Sequence, residues 1–322
     1  MAGRESGEQG MASRRAVLAG MAAAAVGGPV LGGLGAGRAY ATSANDTYRT
    51  NTLMYAAFER TPEADGEGVD FMRRYKRHEW SDFSKAPVTH PQTTVLAIHG
   101  GGIEPGTSEL CMAVAGYDPN PEPRDAAGQP LPFPQRMAAD GPFYDFWMFE
   151  GIRPGGKNPD GTPKPSNKEL HVTSIHCDDP IALALVGANQ HCLSIHGCSW
   201  DDAYPAPLPQ GKDKRGVVIG GLDENLRKAL AKHIGAAGFQ IFPGTQDVGG
   251  VAPENICNRT RNGAGAQLEL TTELRESFFG DFEGAKDRGR TFNGDFRKFV
   301  NACRAAIAEF EYGFANPQVA GV

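Results

Sequence analysis

The stretch that decides the fold reads Val95-Leu-Ala-Ile-His-Gly-Gly-Gly-Ile-Glu-Pro-Gly-Thr-Ser-Glu-Leu110. Its first four residues are apolar β-formers, which predict a buried strand that ends at His99. Three glycines then allow a tight turn before Glu104. A hydroxyl residue, Thr107 or Ser108, is expected to cap the helix that follows. The strand end and the turn can therefore direct an imidazole and a carboxylate into one pocket.

A second strand ends in the same way, because Cys192-Leu-Ser-Ile-His-Gly197 places an imidazole after an apolar run. In open α/β sheets, functional sites form at the carboxyl ends of strands. His196 can therefore join His99 and Glu104 as the third ligand of one metal ion. Two histidines, one glutamate and an open fourth position make a catalytic zinc arrangement. His176, at the end of another predicted strand, competes for the place of the third ligand.

Short apolar strands alternate with helical segments along the chain. Strands are predicted at residues 93–98, 143–149, 170–175, 192–196, 217–221, 239–242 and 267–271. Helices are predicted at 109–115, 180–186, 224–234 and 294–310, the second capped by Asp178 or Asp179 and the third by Asp223. This alternation indicates an α/β fold, a three-layer αβα arrangement around a mixed open sheet.

Three loops interrupt this pattern, at residues 118–142, 151–168 and 201–214. They are rich in proline, glycine or charged residues and show little periodicity, which is typical of long functional loops. They are interpreted as insertions in a single catalytic domain that spans residues 42–322.

Residues 1–41 are expected to be a signal peptide. Ser13-Arg-Arg-Ala-Val-Leu18 is a twin-arginine pattern, an apolar stretch follows it, and Ala39-Tyr-Ala41 offers small residues for cleavage. The alternative is an N-terminal membrane anchor, although the stretch is rich in glycine and alanine. No later stretch reaches the ~20 apolar residues that cross a bilayer. We therefore expect the twin-arginine translocase to export the protein, with cleavage near Ala41 and secretion.

Composition limits the partners. The chain has 322 residues and a net charge of −6, so any acidic substrate needs a local cluster of basic residues. The sequence contains neither a basic run nor a zinc-finger spacing, so neither of these features indicates a nucleic-acid partner.

An even number of cysteines fits an oxidising destination with up to three disulfides. Cys192 and Cys198 are interpreted as small buried residues, and the alternative is a disulfide between them that would hold the loop after His196. The six are Cys111, Cys177, Cys192, Cys198, Cys257 and Cys303.

Two other classes of protein share part of the first motif. His-Gly-Gly-Gly also forms the oxyanion loop of serine esterases, but those need a Gly-x-Ser-x-Gly elbow. The sequence Gly197-Cys-Ser-Trp-Asp201 lacks the second glycine. A glycine-rich loop before a helix can also hold an anion without catalysis, yet no Gly-Lys-Ser or Gly-Lys-Thr follows to make a nucleotide P-loop.

Glu269, between two leucines on an alternating strand, is the best candidate for a general base.

Taken together, these motifs resemble the poly-γ-glutamate hydrolase family. The resemblance rests on four stretches: residues 99–110, Ser194-Ile-His-Gly197, Asn255-Ile-Cys-Asn-Arg259 and Gly265-Ala-Gln-Leu-Glu-Leu270 with Leu274-Arg275 after it. It implies a zinc carboxypeptidase-like fold and one zinc ion per chain, held by His99, Glu104 and His196. It also implies Glu269 as the general base and cleavage of γ-glutamyl amide bonds in poly-γ-glutamate.

Such a polymer carries one free α-carboxylate per residue, and arginine suits bidentate binding of carboxylates. Arg259, Arg261 and Arg275 lie close in sequence to Glu269 and are candidate substrate-binding residues, with Asn258 beside Arg259. Two alternatives stay open. One is a zinc carboxypeptidase or amidase that acts on another peptide, such as a γ-linked cell-wall stem. The other is a metal-binding domain without catalysis.

Overall fold

A computed structural model describes residues 46–60, 66–77, 91–137, 142–204, 207–208, 210–211, 213–245 and 248–315. In this part of the chain one sheet contains seven strands: β1 (Phe71–Lys76), β2 (Thr93–Gly101), β3 (Asp145–Gly151), β4 (His191–Cys198), β5 (Val217–Gly221), β6 (Ile241–Phe242) and β7 (Ala266–Thr271). Their spatial order is β1-β3-β2-β4-β7-β5-β6. The central strands β3, β2, β4 and β7 run parallel, whereas β1 and β5 pair antiparallel with β3 and β7. The predicted mixed open sheet is confirmed.

Helices cover both faces of the sheet. They are α1 (Asn51–Glu59), α2 (Thr107–Ala115), α3 (Pro180–Ala188), α4 (Trp200–Ala203), α5 (Glu224–Ala236), α6 (Thr272–Glu276), α7 (Ala285–Thr291) and α8 (Gly294–Ala315). One core cluster packs α2, α5 and α8 against alternate residues of the sheet, such as Val95 and Leu268. A second cluster packs α1 and α3 against the residues between them, such as Leu96 and Ile98. We call these the α2 face and the α3 face.

The N-cap residues predicted from the sequence are confirmed for two helices and wrong for a third. The carboxylate of Asp179 caps α3 by accepting from the Ile181 and Ala182 amides, each at 2.9 Å. Asp223 caps α5 by accepting from the Leu226 amide at 3.0 Å. The expectation that Thr107 or Ser108 caps α2 is wrong. The N-cap position is Gly106, whose φ of 97° is in the left-handed region that favours glycine.

The predicted strand at residues 170–175 is wrong. Two short 3-10 turns, Asn167–Leu170 and Ser174–His176, flank an extended segment at 171–173. The segment pairs with no strand of the described chain, because its polar groups bind side chains instead. Asp46 accepts hydrogen bonds from the Thr173 amide and hydroxyl, both at 2.8 Å.

The expected disulfides are also absent from the described residues, where all six cysteines are free and buried. The alternative disulfide between Cys192 and Cys198 is excluded because both residues lie on strand β4, six positions apart. An extended strand separates such residues by about 20 Å, far beyond the Cα separation in a disulfide. Burial raises the pKa of the Cys177 thiol to about 12, so this side chain packs as a small apolar group.

Two of the three predicted insertions are largely irregular, although isolated bridges tie Arg124 to Pro130 and Lys157 to Pro163. The third contains the short helix α4. Among the described residues, no helix is both long and apolar enough to cross a membrane. The predicted twin-arginine segment and its boundary at residue 41 lie outside the described residues, so both stay predictions.

Candidate metal centre

His99, Glu104 and His196 meet at the carboxyl edge of the sheet. Each offers one ligand atom, and these atoms all lie within 4.8 Å of one another. Nδ1 of His99 is 2.8 Å from a carboxylate oxygen of Glu104 and 3.2 Å from Nδ1 of His196. Nδ1 of His196 is 3.8 Å from the other oxygen of Glu104. His176, the competing candidate, lies elsewhere and lines a separate cavity.

The second nitrogen of each ring is held by a neighbour. Nε2 of His99 lies 2.9 Å from the carbonyl oxygen of Val172, and Nε2 of His196 lies 2.8 Å from the hydroxyl of Ser194. The Val172 carbonyl can only accept, so Nε2 of His99 carries a proton, and in the neutral ring its Nδ1 then presents a lone pair. Such outer contacts orient the rings of metal-binding histidines.

The donor set fits a divalent cation. With a lone pair on Nδ1 of His99, two imidazole nitrogens and a carboxylate face one another at 2.8, 3.2 and 3.8 Å. Acceptors that face each other in a buried place repel unless a proton or a cation lies between them. Zinc binds imidazole nitrogen and carboxylate oxygen at about 2.0–2.2 Å, and three protein ligands leave an open position. His99, Glu104 and His196 would therefore hold a zinc ion.

His99, Glu104 and His196 shift one another's pKa values. Burial works to raise the pKa of Glu104, but the two imidazoles and the Gly197 amide outweigh it and lower this pKa to about 2. Burial lowers the pKa of His196 to about 3, so this ring is neutral. Burial also opposes the charged form of His99, yet the adjacent Glu104 carboxylate raises the pKa of His99.

The turn after β2 brings Glu104 back toward His99. The Glu104 amide donates to the His99 carbonyl at 2.8 Å, and the Thr107 hydroxyl donates to the Glu104 carbonyl at 2.8 Å. The Ser108 hydroxyl accepts from the Gly101 amide at 3.0 Å. The two residues expected to cap the helix therefore close the turn instead. The Gly197 amide fixes the carboxylate itself, since it donates to Glu104 at 2.8 Å.

Glu269 lies beside the metal ligands. It is the register partner of His196 on the neighbouring parallel strand, so the two side chains leave the same face about 4.8 Å apart. The Gln267 side-chain amide donates to Glu269 at 2.8 Å, and Asn255 donates to Gln267 at 2.9 Å. Burial and the nearby Glu104 charge raise the pKa of Glu269 well above its usual range. This environment suits a group that accepts and returns a proton.

Arg275 is also brought to the centre. A Cβ on Gly197 would lie 2.5 Å from the guanidinium carbon of Arg275, so only glycine permits this close approach. The guanidinium donates to the carbonyl of Pro105 at 2.6 Å and to that of Leu270 at 3.2 Å. Arg275 thereby anchors the residue next to Glu104 and places a buried positive charge beside the ligands.

The other three predicted substrate contacts lie apart from the centre. The side chain of Asn258 binds four backbone groups, those of Gly250, Ala252, Leu222 and Gly265. The amide of Arg261 donates to the carbonyl of Asn189, which lies at the opposite end of strand β4 from His196. Arg259 lines the same cavity as His176.

Two of the residues around the centre that sequence reasoning missed carried no signal in the sequence. The ring of His171 stacks on His99, with 4.0 Å between centroids. Its Nδ1 lies 2.6 Å from a carboxylate oxygen of Asp46. Neither residue belongs to a motif, because Asp46 and His171 are 125 positions apart and meet only in the folded chain. Gln267 and Ser194 carried a detectable signal, since each precedes a site residue by two positions on a strand and so shares its face.

Comparisons with known proteins find relatives of this chain. The family model described as poly-gamma-glutamate hydrolase matches residues 72–120 and 136–302. The UPF0714 protein YndL of Bacillus subtilis (strain 168) is 31% identical over 208 residues, which are 64% of this chain and 63% of YndL. The UPF0714 protein YmaC of the same organism is 27% identical over 220 residues, 68% of this chain and 72% of YmaC. The chain thus spans less than two thirds of YndL.

Solved structures show the same fold. A bacteriophage poly-gamma-glutamate hydrolase superposes with a TM-score of 0.60 at 24% identity, covering 84% of this chain and 99% of that one. Zinc-free YndL superposes with a TM-score of 0.58 at 25% identity, covering 83% and 99%. With its α/β fold and its family model matched over most of the described residues, the chain belongs to the poly-γ-glutamate hydrolase family.

Proposed function

We propose that this protein hydrolyses γ-glutamyl amide bonds of poly-γ-glutamate with one zinc ion at His99, Glu104 and His196. The observation that carries the proposal is the convergence of these three side chains within 4.8 Å at the carboxyl edge of the sheet. Family membership supports the substrate class, and a relative whose solved form is called zinc-free supports zinc as the metal. The His₂Glu donor set suits the same ion.

The chemistry divides between the metal and the chain. When bound, zinc supplies Lewis-acid activation of water and of the scissile carbonyl. Glu269 accepts the proton of the attacking water and returns it to the leaving amine. The hydrogen bonds from Asn255 to Gln267 and from Gln267 to Glu269 orient this carboxylate. The buried position of Glu269 raises its pKa, which favours uptake of the water's proton.

Charge favours an anionic substrate only locally. The chain has a net charge of −6, so a polyanion gains nothing from the molecule as a whole. Arg275 is buried next to Gly197 and forms no ion pair with a carboxylate of the described residues. We propose that its charge helps to hold the α-carboxylate nearest the bond that is cut.

Export by the twin-arginine translocase would bring the folded enzyme to an extracellular polymer, and the Ser13-Arg-Arg pattern supports this part of the proposal.

One experiment tests the proposal directly. The zinc content of the purified protein is measured, and γ-linked and α-linked polyglutamate are each incubated with it, with and without a chelator. We expect about one zinc per chain and cleavage of the γ-linked polymer that stops when the metal is removed. Hydrolysis that a chelator leaves intact would refute the metal mechanism. Preference for the α-linked polymer would refute the substrate.

A further inference from the structure

The imidazole of His171 is the histidine of the metal centre that solvent reaches. Its ring stacks on the ring of His99 with 4.0 Å between centroids. The exposed fraction of the side chain is 32% for His171, against 4% for His99 and 2% for His196. Among these three imidazoles, His171 is therefore the one that a molecule arriving from solvent can contact directly.

A buried carboxylate fixes the orientation of the His171 ring. Nδ1 of His171 lies 2.6 Å from an oxygen of Asp46, whose side chain is only 7% exposed. The other oxygen of Asp46 accepts from the amide and the hydroxyl of Thr173, both at 2.8 Å. Because the ring is already held in one position, a ligand that binds to it costs little additional side-chain entropy.

The second nitrogen, Nε2, is the atom of His171 that a ligand can use. The Asp46 carboxylate only accepts, so Nδ1 carries a proton. The two nitrogens of an imidazole point away from each other, so Nε2 points away from Asp46. Within the described chain no hydrogen bond involves Nε2. A metal cation bound by His99 would oppose a positive charge on the ring stacked against it. In the neutral ring Nε2 presents a lone pair and accepts a hydrogen bond.

We propose that His171 is a substrate-binding residue whose Nε2 accepts a hydrogen bond from an amide N–H of the polymer, within one glutamyl unit of the bond that is cut. The inference rests on the proposed function for the identity of the polymer. The ionised α-carboxylates of poly-γ-glutamate can only accept, so the amide N–H is the donor that each repeating unit offers. His171 and Arg275 thereby recognise different groups of the substrate, the amide and the α-carboxylate.

The distances fit a contact this close to the reacting bond. A γ-linked glutamate contributes five backbone bonds where an α-linked residue contributes three, so one unit extends to about 6 Å. The centroid of the His171 ring is 4.0 Å from that of His99, a metal ligand. A glutamyl unit bound at the metal centre is therefore long enough to cover the His171 ring.

A second histidine–carboxylate pair provides a matched control. Nε2 of His233 lies 2.6 Å from Glu309, and Lys232 donates to the same carboxylate at 2.8 Å. The His233 side chain is 26% exposed, close to the value for His171. This pair joins helices α5 and α8, which pack on the α2 face, whereas the metal ligands lie on the α3 face. A change at His233 therefore removes a similar pair without touching the centre.

Binding to a variant without turnover tests the proposal. Zinc-loaded Glu269→Gln protein is titrated calorimetrically with a γ-linked glutamate tetramer and with three analogues, each with one amide replaced by an ester. The ester keeps the length of the chain and removes the N–H donor. His171→Asn, His171→Phe and His233→Asn are each added to Glu269→Gln, and the zinc content of every variant is measured. His171→Asn keeps a donor for Asp46 and His171→Phe keeps a ring against His99, but both lack Nε2.

We expect one of the esters to bind to the Glu269→Gln protein about 3–10-fold more weakly than the tetramer, the usual effect of losing one neutral hydrogen bond. Both changes at His171 should weaken binding of the tetramer by a similar factor. Both should also abolish the difference between the tetramer and that ester, because the acceptor is gone. His233→Asn should preserve the affinity and the difference.

The outcomes separate this inference from the proposed activity. If unmodified protein cleaves the γ-linked polymer but the ester binds more weakly whatever side chain occupies position 171, the hydrogen bond to His171 is refuted and the activity stands. Esters that all bind like the tetramer also refute it, and so does loss of zinc in both His171 variants, because His171 would then support the metal alone. If the polymer is not cleaved and the weaker binding of one ester still requires His171, the contact stands and the activity fails. A tetramer that does not bind at all refutes the contact.

Discussion

The side chain of His99 reaches the metal centre because strand β2 contains one extra residue. Val95 and Ala97 face α2, so strict alternation would turn His99 to the same face. The pairing with β3 shifts between Ala97 and Gly100, which is the mark of a β-bulge. As a result Ile98 and His99 both lie on the α3 face, where the side chain of His196 also lies. A bulge next to a functional site re-aims a side chain at little cost to the sheet.

Glu269 provides the first prediction at this scale. Glu269→Gln keeps the shape and the hydrogen bond from Gln267 but removes the proton acceptor. We expect hydrolysis of the γ-linked polymer to fall by about 10²–10⁴-fold while the zinc content stays at the level of the unmodified protein. Glu224→Gln, an equal change on the exposed surface of α5, is the control. Normal turnover in the Glu269 variant would remove this residue as the base.

Asp46 provides the second prediction at the scale of single residues. Its carboxylate holds His171 and Thr173, the neighbours of the Val172 carbonyl that orients His99. Asp46→Ala should therefore weaken zinc binding by about 10–100-fold, the usual effect of losing an outer contact of a metal ligand. Competition with a chelator of known affinity measures this directly, without reference to turnover. Asp125→Ala, in an exposed loop, should bind zinc normally, and equal affinities in the two variants would contradict the prediction.

At the scale of elements, the segment at residues 167–178 shows why a strand-like sequence need not join a sheet. Leu170 and Val172 are buried, as their alternation suggests, yet the residues between them are held by 3-10 turns and by Asp46. Its backbone carbonyl at Val172 is thereby left to accept from His99. A segment with the periodicity of a strand serves here as a support for the metal centre.

Helix α5 gives a prediction about pH. Burial works to raise the pKa of Asp223, but the nearby His191 side chain, whose Nδ1 lies 3.8 Å from the carboxylate, and the hydrogen bonds from the α5 amides lower this pKa below its usual value. The folded state thus binds fewer protons than the unfolded state at acid pH, so this stabilisation is present above about pH 4 and is lost as the pH falls below it. Asp223→Ala should lower the free energy of unfolding by about 1 kcal/mol at pH 7.

Urea unfolding at several pH values checks this prediction. The difference between the unmodified protein and Asp223→Ala should stay constant from pH 7 to pH 5 and shrink below pH 4. Asp223→Asn should retain most of the stability at pH 7, because asparagine is an equally good N-cap. A difference that grows on acidification would show that the sign is wrong.

At the scale of the whole molecule, the order of the strands decides where the centre forms. The chain passes from β2 to β3 on one side and then returns to β4 on the other, so the order reverses between β2 and β4. At such a point the connections diverge and leave a crevice at the carboxyl ends of the strands. His99 and His196 lie at the ends of these two strands, and Glu269 lies on the next strand.

A buried ion pair joins distant parts of the fold. Arg288 on α7 donates to Glu109 on α2 at 2.9 Å and to the Gly101 carbonyl at the end of β2. Both side chains are at least 95% buried. Arg288→Met should lower the free energy of unfolding by about 3–5 kcal/mol, because it leaves the Glu109 charge unpaired. The double variant with Glu109→Met should recover much of this loss in urea unfolding. A double variant less stable than Arg288→Met would contradict the explanation.

Local patterns predicted the strands at His99, His196 and Glu269 because apolar runs and alternation depend on neighbours in the chain. They also predicted that His99, Glu104 and His196 converge, since the carboxyl ends of neighbouring strands meet at one edge of an α/β sheet. Only the folded chain decided that Asp46 and His171 support His99, that Arg259 and Arg49 line one pocket, and that Arg261 lies at the far edge. These pairings join residues that are far apart in the sequence, and the physical reason is the same for all. Long-range packing chooses them, and no periodicity records it.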